Sequence, residues 1–73
     1  MKKYILFKSN EEFLADFFIV FPRCINHKHI AEKFKNEIIG AGFVENGKVF
    51  GESTSLNKKS NPDDQILYIS FMK

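Results

Sequence analysis

A single cysteine, Cys24, in a chain of 73 residues sets the main constraint: no internal disulfide is available, and a lone thiol cannot supply the cysteine cluster of a structural zinc site. A chain this short sits near the lower limit for one hydrophobic core, so its stability must come from packing, helped by any self-association. The apolar material is present. Hydrophobic residues make up 44% of the chain, nine of them Phe, and only two Pro and four Gly interrupt them, which lies outside disordered and collagen-like compositions. One domain over residues 1–73 is therefore expected. Eleven basic against nine acidic residues leave a net charge of +2, too mild to imply nucleic-acid binding by itself. No run approaches the roughly 18 apolar residues of a membrane span. After Met1-Lys2-Lys3 only four apolar residues precede Lys8, too few for a signal segment, so a cytoplasmic setting without membrane contact is expected.

Tyr4-Ile5-Leu6-Phe7 is a β-branched and aromatic run between lysines and Ser9-Asn10, the pattern of a short buried strand over 3–8. Ser9 and Glu12 have capping-box spacing, so a helical turn over 10–14 competes with a plain loop, and the loop is preferred. Phe17 to Phe21 is continuously apolar and stopped by Pro22, giving a second strand over 16–21. Asn26 is a good N-cap, and Ile30, Ala31, Phe34 and Ile38 recur at helical steps, so the spacing predicts a helix over 27–38 with Gly40 just past its end. Ala41 to Glu45 then reads as a strand turning at Asn46-Gly47, the strongest two-residue hairpin signal, into a strand over 48–52. Residues 53–61 read as a long polar loop. Asn61-Pro62-Asp63-Asp64 supplies a cap, a first-turn proline and two carboxylates at the positive end of a helix over 62–71, although the apolar run from Ile66 also fits a strand. The order ββαββα predicts an α+β domain, a small antiparallel sheet with helices packed on one face.

Chemistry concentrates in two places. His27 and His29, two apart on a helix, point about 200° from each other and cannot chelate one metal, so no metal and no cofactor are expected. His27 shares the stripe of Ile30, Ala31 and Phe34. Its plain reading is a helix-edge residue half-buried on the sheet. Its sharper reading is a general base, kept neutral by the helix N-terminus. The segment Gly51-Glu52-Ser53-Thr54-Ser55-Leu56-Asn57 offers three hydroxyls and exposed amides, a composition that can cradle an oxyanion and that many solvated loops share. Gly40-Ala41-Gly42 lacks the length, lysine and serine of a phosphate loop; its small residues suit close packing of a helix on the sheet.

Four segments in order resemble the Janus/Ocnus family, which includes small phosphohistidine phosphatases. Lys3-Tyr4-Ile5-Leu6 resembles the first strand, His27-Lys28-His29-Ile30-Ala31-Glu32-Lys33 the start of the helix, Gly40-Ala41-Gly42 the glycine-rich third strand, and Val49-Phe50-Gly51-Glu52-Ser53-Thr54-Ser55 the strand and phosphate loop that follow. The resemblance implies His27 as catalytic base and Lys3, Ser53 and Ser55 as phosphate-binding residues. Ser55 departs from the alanine usual in the family, and Asn57 from a glycine. Compact size, many lysines and the Ser-rich loop also resemble small uncharacterised proteins of bacteria and their phages.

Two functions from different classes are thus expected. One is a non-catalytic binding module that engages a protein partner, or a second copy of itself, through exposed Phe residues or residues 53–61. The other is a phosphohydrolase acting on phosphohistidine, with His27 activating water, Ser53 and nearby amides holding oxygens and Lys3 neutralising charge. Nucleic-acid binding through Lys28, Lys33, Lys35, Lys58 and Lys59 ranks third, since Glu32, Glu37, Asp63 and Asp64 interrupt any basic stripe. The apolar stripes place Ile5, Phe7, Phe18, Val20, Ile30, Phe34, Phe43, Val49 and Ile66 in the core. Phe34→Ala, measured by thermal melting, is expected to cost about 3–5 kcal/mol; an unchanged melt would contradict the assignment of Phe34 to the core.

Overall fold

The computed structural model describes residues 1–11 and 14–72. Tyr4, Ile5, Leu6 and Phe7 are all excluded from water, so their strand, β1 (Lys2–Phe7), needs cover on both faces and partners on both edges. β2 (Phe17–Pro22) pairs with it antiparallel on one side and β3 (Ile38–Glu45) on the other, and β4 (Lys48–Phe50) completes a four-stranded antiparallel sheet in the order β2-β1-β3-β4. Asn46 and Gly47 both take positive φ, as a tight hairpin turn requires, and set Glu45 opposite Lys48. Beyond Phe50, Gly51 also has positive φ and turns the chain out of the sheet. The next residues form a separate small ladder, β5 (Glu52–Ser53) with β6 (Lys58–Lys59), lying against β3.

Side chains alternate across β1 and divide the core in two. Ile5 and Phe7 join Phe21 and Ala41 under α1 (His27–Ala31), with Ile30 and Phe34 packed against them. Tyr4 and Leu6 join Phe18, Val44 and Tyr68 under α2 (Asp64–Phe71). The α+β class and the antiparallel sheet hold. The expectation that both helices share one face does not, because a strand buried on both sides requires one helix on each. No helix among the described residues is long and apolar enough to cross a membrane.

Several boundaries differ from the sequence reading. The helix predicted over 27–38 is a five-residue helix ending at Ala31, followed by turns in which Lys33 and Phe34 amides donate to Ile30 and Ala31 carbonyls. Those turns keep Phe34 against Phe7, ring centroids 4.8 Å apart, while Ile38 and Ile39 are drawn into β3 to pair the full length of β1. Gly40 lies inside that strand, not at a helix end. The strand predicted over 48–52 stops at Phe50, and the supposed loop of 53–61 contains β6 and part of β5. The capping-box alternative depends on Glu12, outside the described residues. Of the expected core, Ile5, Phe7 and Phe18 are buried, while Val20, Ile30, Phe34, Phe43 and Val49 are half-buried. Ile66 is 67% exposed, because in an all-apolar run periodicity does not fix which side meets the sheet; Tyr68 takes the inward position.

The final segment is a helix, as predicted, but Asn61 does not cap it with its side chain. Its Nδ2 donates to the Ile39 carbonyl at 2.9 Å. Asp64, expected as one of two carboxylates at the positive end of the helix dipole, is 1% exposed. Its Oδ2 accepts from the Tyr4 hydroxyl at 2.6 Å and from the Asn61 amide at 3.1 Å, and the Tyr4 oxygen also lies 2.6 Å from Ser60 Oγ. Gly40 makes room for this cluster, since a methyl group there would collide with the Asp64 carboxylate. Burial, then the Asp64 carboxylate, push the Tyr4 phenol well above its usual pKa, with Ser60 opposing. A raised folded-state pKa stabilises fully below the unfolded value, so chemical denaturation should show stability falling as pH rises past about 10. Tyr4→Phe should flatten that dependence. Asp64→Ala should cost about 2–3 kcal/mol by removing the carboxylate that both the Tyr4 hydroxyl and the Asn61 amide donate to. Wild-type stability for both variants at neutral pH would contradict the role given to the cluster.

Candidate functional site

On the α1 face, four separate parts of the chain meet around a cleft of about 150 Å³, lined by Lys3, Asn26, His27, Phe43, Glu52, Ser53, Thr54 and Ser55. All four residues named from the sequence as site candidates are in it: Lys3 from β1, His27 from α1, Ser53 from β5 and Ser55 from the turn that follows. His29 is exposed and is not among the lining residues.

Each position has a local cause. Asn26 caps α1 as predicted, its Oδ1 accepting from the Lys28 amide at 2.9 Å, and this fixes His27 as the first helical residue. His27 is 4% exposed, more deeply buried than the half-buried position expected for it. Its ring stands edge-on to Phe21 and Phe43, at centroid distances of 5.4 and 5.9 Å. Nε2 lies 2.9 Å from the carbonyl oxygen of Gly42, one residue beyond the last β3–β4 pair. A carbonyl only accepts, so Nε2 carries the proton and donates, which leaves Nδ1 with the lone pair in the neutral ring. Burial lowers the His27 pKa below 6.5; the Gly42 hydrogen bond opposes this, the Lys3 charge adds to it, and the Tyr4 backbone opposes it weakly. The ring is therefore neutral at pH 7, as expected. The causes are desolvation and a neighbouring cation, where the sequence reading invoked the helix N-terminus.

The Lys3 ammonium donates to the Ile25 carbonyl at 2.8 Å, which holds it at the cleft on the segment leading into α1. Ser53 is buried, with Oγ 3.2 Å from Ser55 Oγ, and the Ser55 hydroxyl donates to Asn26 Oδ1 at 3.0 Å. Asn26 thus joins the helix cap to the loop, a bridge spanning 29 residues that its cap role alone did not reveal. Thr54, one of the three hydroxyls of the predicted cradle, lines the cleft too, and so does Glu52, which was given no role of its own; β5 pairing with β6 carries them there, and that two-residue ladder has no clear sequence signal. The site offers one cation, a neutral imidazole and three hydroxyls, with the Glu52 carboxylate as the opposing charge. Among the described residues no cluster of His, Cys, Asp and Glu has the make-up to hold a metal ion. Comparison with family models, curated proteins and solved structures gives no match for this chain.

A depressed histidine pKa contributes stability that is present above the unfolded value and lost as pH falls through the folded one. Unfolding free energy should therefore decline below about pH 6.5, and His27→Gln, which keeps an N–H donor without a titrating ring, should weaken that decline. Denaturation at pH 5 and pH 7.5 on both proteins checks this; identical pH dependence would contradict the buried neutral ring.

Proposed function

We propose that this chain is a small binding module that takes a phosphoryl group, or an oxyanion of similar size, into the Lys3–His27–Ser53–Ser55 cleft. The supporting observation is that four side chains singled out from three separate segments line one concavity. A space of about 150 Å³ suits a single tetrahedral anion and is well below the few hundred Å³ of sites that enclose nucleotide-sized ligands. Such a group arrives most naturally on the side chain of a partner protein, with the phosphate inside and the rest of the partner on the surface.

Binding has to exchange contacts, because Lys3, Ser53 and Ser55 already make hydrogen bonds within the chain. Free phosphate should accordingly bind weakly, with Kd on the order of 1 mM. In a residue-resolved NMR titration with inorganic phosphate, shifts should cluster at Lys3, His27, Ser53 and Ser55. Lys3→Ala should abolish them, and Glu52→Gln, which removes the opposing carboxylate, should tighten binding about threefold. Shifts scattered over the surface lysines would contradict the reading.

Hydrolysis of phosphohistidine is the second reading, favoured by one specific observation: the hydrogen bond to Gly42 fixes the His27 tautomer and leaves Nδ1 able to accept a proton from water. The resemblance to the phosphohistidine phosphatases supports the same assignment. On this reading His27→Ala abolishes hydrolysis and His29→Ala leaves it nearly intact, with melting temperatures recorded on each protein to separate chemistry from folding. A parent protein without activity ends the catalytic reading and leaves the binding reading standing.

A further inference from the structure

β2 is a sheet edge: among the described residues it pairs with β1 alone. Edge strands are usually protected by charge, shortness or a bulge. β2 has six residues, Phe17-Phe18-Ile19-Val20-Phe21-Pro22, with no charge among them, and Pro22 interrupts only its last position. Beside this edge lies the C-terminal end of α2, where the Phe71 ring packs 5.6 Å from that of Phe18. A groove of about 400 Å³ lined by Phe18, Val20, Tyr68, Phe71 and Met72, with Lys2 at its side, joins the two surfaces.

α2 is unusually apolar on its outer side. Ile66, Leu67, Ile69, Phe71 and Met72 are between 40% and 67% exposed, and residues 65–72 include no Asp, Glu, Lys, Arg or His. Of the apolar residues in this stretch only Tyr68 is buried, so most of its apolar side chains stay uncovered. Joining two copies at this surface and along the strand edge would remove both from water.

From these observations we infer that the β2 edge and the adjoining α2 face bind a second copy of this chain about a two-fold axis. The pairing is antiparallel and makes one continuous eight-stranded sheet. Three features select a second copy as the occupant. An antiparallel strand pair is self-complementary about a two-fold axis. The uncharged α2 face meets itself without repulsion. The flanking charges are also compatible: with Ile19 on the axis, Phe17 faces Phe21 of the other copy and Asp16 faces Pro22, one position from the Arg23 of that copy, so opposite charges meet diagonally at each end. A parallel arrangement would set like charges together. The surface is distinct from the Lys3–His27 cleft, so the inference does not depend on the proposed function.

Sedimentation velocity on the full chain from 10 μM to 1 mM tests this. A dimer is expected to form within that range. Arg23→Asp, an exposed position, should weaken it at least tenfold, and the charge swap Asp16→Arg with Arg23→Asp should restore it. Met72→Glu, also exposed, should weaken it as well, with circular dichroism confirming that each variant is folded. Amides of residues 17–21 should become more protected from hydrogen exchange as concentration rises. A parent that stays monomeric at 1 mM overturns the inference, and so does a dimer indifferent to both charge changes and to Met72→Glu.

Discussion

Four consecutive residues of β1, Tyr4 to Phe7, are removed from water, and most of the architecture follows from covering them. A strand buried on both faces cannot be served by one layer of helix, so a chain of 73 residues has to divide its covering material. α1 and its following turns supply Ile30, Ala31 and Phe34 to one side, and α2 supplies Tyr68 to the other. Neither helix is long. The sheet also has to supply partners along the whole of β1, which is why Ile38 and Ile39 are strand residues.

The division of β1 also separates the two polar arrangements. Tyr4 carries a hydroxyl into the α2 side, where Asp64, Ser60 and Asn61 satisfy it and one another, and no buried side-chain polar atom among the described residues lacks a partner. Its neighbour Lys3 points to the other side and reaches the segment that begins α1, beside His27. Adjacent residues of one strand thus anchor a closed structural network and an open cleft. In the first, Tyr4 and Asp64 are shut off from water and paired with each other; the second has hydroxyls, an ammonium and an imidazole around a concavity.

How much of this was legible depends on how local the cause was. The Asn46-Gly47 hairpin, the Asn26 cap and the helix after Pro62 follow from neighbouring residues and were readable. The length of α1 was not, since the fate of Ile38 depends on Phe7, 31 positions earlier. Asp64 was read through the rule for carboxylates at helix starts, yet its surroundings are set by the space above Gly40 and by the Tyr4 hydroxyl. The inward placement of Ile66 rests on a run from Ile66 to Met72 that is nearly all apolar, in which no single face stands out. For the cleft, spacing pointed to His27 and to the Ser-rich segment separately, and the family resemblance is what joined them to Lys3. Asn26 as the bridge between them, and Glu52 as the opposing charge, depend on contacts that no local pattern encodes.

The central claim is that Lys3, His27, Ser53 and Ser55 form one oxyanion site. Diffraction from crystals of this chain grown with tungstate, an electron-rich tetrahedral dianion, tests it most directly. The account predicts an anomalous peak in the cleft, within hydrogen-bond reach of the Lys3 ammonium and the Ser53 or Ser55 hydroxyl. A well-occupied peak on surface lysines such as Lys58 and Lys59, with the cleft empty, would contradict it.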